Sequence, residues 1–114
     1  MRLPRERRIR ASADFSRLRQ NGSRLDCGPF LLNLGPGQSP QVKARFAVVV
    51  AKKSIPLAVN RNRAKRLARE LFRSDADLLP VGWECVLIAR PSILRKSFAN
   101  LKKIYETAIK STVK

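Results

Sequence analysis

Residues 46–73, FAVVVAKKSIPLAVNRNRAKRLARELFR, carry an apolar strand, a basic turn and an amphipathic helix in one run. The strand begins a little earlier, in VKARFAVVVA at 42–51. Val42, Ala44, Phe46, Val48 and Val50 alternate onto one face, while Lys43 and Arg45 start the other. From Ala47 onward both faces are apolar, which predicts a central strand covered on each side over its second half. Pro56, in the turn KKSIPL, suits the start of a helix. Ala64, Leu67, Ala68, Leu71 and Phe72 then follow the i, i+3, i+4, i+7, i+8 spacing, which predicts a helix over 57–73.

Downstream, Asp75, Asp77 and Pro80-Val81-Gly82 end that helix, and WECVLIA at 83–89 reads as a strand closed by Pro91. A last helix starts near Ser97, with Phe98, Leu101, Ile104, Tyr105, Ala108 and Ile109 as its apolar stripe and Lys102, Lys103 and Lys110 on the wet side. Upstream, LDCGPFLLNL at 25–34 reads as a first strand interrupted by Gly28-Pro29, and GPGQSP at 35–40 as a hairpin loop. Ser12 is a fair N-cap and Asn21-Gly22 a stop signal, so a short helix is expected over 12–20. Its apolar side holds only Phe15 and Leu18, which makes Phe15 a small core plug or an exposed stacking surface. Residues 1–10 carry Arg at 2, 5, 7, 8 and 10 and read as an irregular basic arm. The expected architecture is a single α+β domain spanning 1–114, a small α-β sandwich in the order αββαβα.

The 114 residues hold 25 Lys and Arg against 8 Asp and Glu, a net charge of +17. Twelve basic residues face three acidic ones in 1–57 and thirteen face five in 58–114, so the charge surrounds the fold and is not confined to a tail. A field of this strength attracts polyanions, nucleic acid first and a membrane surface second. There is no His, which removes the usual acid/base group near neutral pH, and Cys27 and Cys85 are too few for a zinc tetrad. The two Cys read as small half-buried apolar residues, not as a disulfide. No apolar run approaches the ~20 residues of a membrane span, and MRLPRERRIR lacks the apolar core of a signal peptide, so a cytoplasmic protein is expected.

On a helical wheel with Arg61 at the origin, Lys65 and Arg69 stand at about 40° and 80° beside the apolar seam, with Asn62 and Arg73 at about 100° and 120°. Arg66 and Arg63 lie further round, so basic groups point in two directions. Like charges at i, i+4 repel by a few tenths of a kcal/mol per pair, and Glu70, near Arg66 and Arg73, is the one compensating acid on this helix. Nothing in helix stability favours such a face, and Arg outnumbers Lys five to one over 61–73, which suits bidentate phosphate contacts. The pattern lacks both the tight helix pair of a helix-turn-helix and zinc ligands. An RNA partner is therefore preferred to DNA, by analogy with other small basic α+β domains.

Residues 46–73 closely resemble the signature of the bacterial ribonuclease P protein component. The features that carry the resemblance are the strand ending in Lys52-Lys53, then Arg61-Asn62-Arg63, Lys65-Arg66 and Arg69-Glu70. Asp14-Phe15, Phe30 and Leu32, Val86 to Arg90 with Pro91, and the final amphipathic helix agree with that family. The likeness covers about residues 10 to 109.

It implies a ribosomal-protein-like sandwich with a left-handed βαβ crossover, opposite to the general rule for sheets. It also implies a protein that binds a large catalytic RNA and the single-stranded 5′ leader of precursor tRNA, assisting removal of the leader. Lys52, Lys53, Arg63, Arg66 and Arg73 would then face the RNA subunit. Phe15, Leu18, Phe46, Val48, Arg61, Asn62, Lys65 and Arg69 would line a leader cleft between the first helix and the sheet. Arg19 and Asn33 depart from the aromatic residues frequent there, so electrostatics should outweigh base stacking, itself worth ~1–3 kcal/mol per base.

The chain offers no catalytic constellation of its own. Its carboxylates are dispersed, Asp75-x-Asp77 being the nearest to a pair, and the general acid/base route of a protein ribonuclease lacks its His. The resemblance assigns the chemistry to the RNA and Mg²⁺ of the holoenzyme, with no cofactor or metal bound by the protein alone and no obligate protein partner. A ribosomal or assembly-type RNA-binding protein outside any enzyme is the competing reading.

Overall fold

The computed structural model describes residues 22–37 and 43–113, the side chain of Ala76 excepted. The expected arm at 1–10, the helix at 12–20 with Phe15, Leu18 and Arg19, and residues 38–42 lie outside the described residues. The elements are β1 (Ser23–Asp26), β2 (Phe30–Pro36), β3 (Arg45–Val49), α1 (Ala58–Ser74), β4 (Trp83–Ala89) and α2 (Phe98–Thr112). Short 3₁₀ turns, Ala76–Leu78 and Pro91–Arg95, precede β4 and α2.

The run at 25–34 forms two strands where the sequence suggested one. Gly28, at φ +91°, reverses the chain in a conformation that favours glycine, and its N–H donates to Asp26 Oδ1 at 3.0 Å. Arg90 ties this turn to the end of β4, donating to Asp26 Oδ1 at 2.6 Å and to the Gly28 carbonyl at 3.0 Å. The hairpin is thus β1–β2, four residues paired antiparallel from Ser23 opposite Leu34 to Asp26 opposite Leu31.

Sheet order is β1-β2-β4-β3, with β2–β4 antiparallel and β3–β4 parallel. Residues 35–40 therefore do not close a hairpin, because β4 lies between β2 and β3. Nor is β3 central. It lies at an edge of the described sheet, and Val49 is 39% exposed. The apolar run misled because an edge strand in a parallel βαβ unit also needs apolar residues for the helix above it. That helix is α1, which connects β3 to its parallel neighbour β4, as parallel strands require a long crossover.

One sheet face is the core. Phe30, Leu32, Leu34, Phe46, Cys85, Leu87 and Ala89 meet Ala64, Ala68, Leu71 and Phe72 of α1 and Leu101, Tyr105 and Ile109 of α2. Phe46 stacks on Phe72 with ring centroids 4.5 Å apart. In each helix the buried stripe is narrower than the apolar pattern, since Leu67, Ile104 and Ala108 are half-buried and Phe98 is exposed. Ser97 caps α2 by accepting from the Asn100 N–H at 3.2 Å. Cys85 is fully buried, which pushes its thiol well above the usual range, and Cys27 is half-buried. Both are free thiols.

Candidate nucleic-acid interface

The basic surface is built on α1, and its geometry starts with an uncapped N-terminus. Leu57 occupies the N-cap without a side-chain hydrogen bond, and the first turn contains no acidic residue. The N–H groups and positive dipole end of this helix therefore face outward as an anion-attracting terminus. Lys52 and Lys53 lie just before it on an exposed turn, held by the Ser54 and Ile55 N–H groups donating to the Ala51 carbonyl.

Asn62, Arg63, Arg66, Arg69 and Arg73 are exposed along α1, while Arg61 and Lys65 are half-buried. Arg73 is partly committed, donating to Glu70 at 2.8 Å, and this bond holds the Glu70 carboxyl below its ordinary range. Arg61 has a structural task as well. One of its guanidinium nitrogens donates to the Ile55 carbonyl at 3.0 Å and the Pro56 carbonyl at 2.6 Å, which anchors the turn to the first coil of the helix. The flank bearing Arg61, Lys65 and Arg69 thus starts against the segment leaving β3. Arg63 and Arg66 occupy another part of the wheel, so one rigid helix presents cations over a wide arc.

Phe46 and Val48 do not take the place expected for them. They alternate onto the core face, where Phe46 is 1% exposed beneath α1 and Val48 packs beside it, so neither offers a floor for a ligand. Their neighbours Arg45, Ala47 and Val49 belong to the other face. There Ala47 and Ile88 pack around Val86 in a separate small cluster. The same face buries the polar side chains Asn33 and Glu84. Glu84 accepts from Arg45 Nε at 3.1 Å and from its terminal nitrogen in an ion pair. Gly37 lies flat against this pair, since a Cβ there would come within 2.9 Å of the Glu84 carboxyl carbon.

Sequence reasoning also missed Leu57 and Val59, which are 62% and 71% exposed beside the basic turn and helix start. The available signal was their position outside the i, i+3, i+4 stripe.

Asp26, Glu70 and Glu84 are each engaged by an arginine, and no group of three or more His, Cys, Asp or Glu among the described residues could hold an ion. No described helix is long and apolar enough to cross a membrane.

The family model for ribonuclease P matches residues 3–113. The chain belongs to the ribonuclease P protein family. A ribonuclease P protein component from Desulfovibrio desulfuricans is 38% identical over 88 residues, covering 77% of this chain and 67% of that protein. Another from Herpetosiphon aurantiacus is 33% identical over 101 residues, covering 89% and 80%. Among solved structures, the ribonuclease P protein from Thermotoga maritima superposes with a TM-score of 0.76 at 26% identity, covering 91% of this chain and 96% of that one. As a member of this family the chain is the RNA-binding protein component of a tRNA-processing ribonucleoprotein and associates with its RNA, which sets aside the ribosomal or assembly-type reading.

Proposed function

We propose that this protein holds the 5′ leader of precursor tRNA against α1 while the same helix docks on the ribonuclease P RNA. The observation that carries this reading is the wide arc of accessible cations on one rigid helix whose N-terminus is uncapped and free of acids. Arg63, Arg66, Arg73, Lys52 and Lys53 serve the RNA subunit. Asn62, Lys65 and Arg69 serve the leader, together with Phe15 and Leu18. Arg61 acts chiefly by fixing the helix start, and Ala47 and Val49 on the accessible edge of β3 replace Phe46 and Val48 as apolar contacts.

Cleavage belongs to the RNA, with Mg²⁺ bound in the RNA-containing holoenzyme, and the setting is the cytoplasm. Each phosphate neutralised by a Lys or Arg releases counterions, so leader affinity should fall steeply with salt.

Two measurements test the proposal. The pure protein should leave precursor tRNA intact, whereas adding a cognate RNA subunit at low Mg²⁺ should give 5′ cleavage, and cleavage by the protein alone would overturn it. Lys65→Ala and Arg69→Ala should each weaken leader-bearing precursor binding more than mature tRNA binding. Equal losses would assign both residues to docking on the RNA subunit.

A further inference from the structure

A groove of about 500 Å³ runs between β1 and α2, and no residue of α1 lines it. Its floor is apolar, made by Leu25 and Cys27 from the hairpin and Ile104 and Ala108 of α2, all half-buried at the margin of the core. Lys96 and Lys103 stand exposed at its rim, and neither is ion-paired among the described residues. Asp26 also reaches the groove, but Arg90 binds it through both carboxylate oxygens, at 2.6 and 3.1 Å. The unbalanced charge is therefore positive. Such a volume is in the usual range of ligand sites, roughly 300–1,000 Å³.

We propose that this groove docks an acidic, aliphatic peptide segment of another protein, laid in extended form beside β1, the outermost strand of the described sheet. The lining follows α2 from Asn100 to Ser111, roughly 16 Å at the helical rise. That is the span of about five extended residues, whose alternate side chains would enter the aliphatic floor while the others meet solvent and the two lysines.

Single-stranded RNA is the poorer occupant. Bases bind on aromatic or guanidinium planes, and this lining contains neither. The chain itself fits poorly as well. Residues 1–21 carry seven Arg against Glu6 and Asp14, and a second copy brings another +17, so both would approach the lysines with like charge.

The test is a titration of the isotope-labelled full chain, followed by NMR, with a blocked Glu-Val-Glu-Val-Glu peptide and separately with penta-uridylate. The peptide should give saturable shifts centred on Leu25, Cys27, Ile104 and Ala108. The Lys96→Glu/Lys103→Glu variant should bind it about tenfold more weakly. Ala108→Trp should block it by filling the floor. Both variants should keep a native spectrum and normal cleavage when reconstituted with the RNA subunit, and should the Trp variant misfold, the charge-reversal variant decides alone. The proposal is overturned by absence of groove shifts with the peptide, by tighter groove binding of penta-uridylate, by indifference to the charge reversal, or by contacts from residues 1–21 to the Ile104 methyls in the free protein.

Discussion

The two faces of the sheet are made by alternate residues of the same strands, yet they are built on different principles. The face under α1 and α2 is wholly apolar at its centre, from Phe30 and Leu32 to Phe46, Cys85 and Leu87. The other face buries Asn33 and Glu84, holds Arg45 in an ion pair, and leaves Val49 accessible at the β3 edge. The first face is shaped by packing alone, whereas the second combines polar partners with the small Val86 cluster, so parity along the strand separates the main core from the side on which the leader is proposed to run. Phe46, an attractive residue for stacking a base, is on the stabilising side. Its small neighbours Ala47 and Val49 are on the other.

Substitutions on the two faces should separate these roles. Phe46→Ala removes a ring stacked on Phe72 and should cost about 4 kcal/mol of stability, read by urea unfolding. If it instead left stability intact and weakened RNA binding, the division of faces would be wrong. Glu84→Gln removes the carboxylate charge from its ion pair with the half-buried Arg45 and should cost about 2 kcal/mol, with the loss reduced when Arg45 is also replaced by Met.

Val49→Asp should change stability by less than about 0.5 kcal/mol. It should nevertheless weaken precursor tRNA binding about tenfold in a filter assay, because it places a negative charge where the leader is proposed to run. A loss shared equally by mature tRNA would move the leader off this edge.

The smallest effect is expected at the margin of the core face, at Asp75. Its carboxyl ends α1, where the helix dipole disfavours negative charge, and burial raises its pKa, with Glu106 adding to the rise and Lys102 and Lys110 opposing it. A carboxyl with a raised folded-state pKa lowers stability above that pKa, and the penalty fades as pH falls through it. Asp75→Asn should therefore raise Tm by roughly 2 °C at pH 7, and the gain should vanish near pH 3.

Legibility in the sequence followed the range of the interactions. Helix α1 was expected over 57–73 and spans Ala58–Ser74, and Trp83–Ala89 and the start of α2 after Ser97 lie where local signals put them. Along α1, period also put Asn62, Arg63, Lys65, Arg66 and Arg69 off the buried stripe, because a helix places each side chain by a fixed rotation. The split at Gly28-Pro29 was visible as an interruption, but its meaning depended on the register of β1 with β2 and on the Arg90 clamp 62 residues away.

The sequence by itself determined the charge, its concentration along α1 and the local elements, since these depend on composition and on neighbours within a few residues. Tertiary structure alone decided that β3 is an edge strand, that Phe46 is buried while Val49 is accessible, and that β1 and α2 leave an aliphatic groove between them. An apolar strand satisfies its alternation equally well at an edge or in the centre, and it carries no mark of which neighbour supplies its hydrogen bonds. Only the assembled sheet and the helices laid on it choose the partner, and with it the face that each side chain takes.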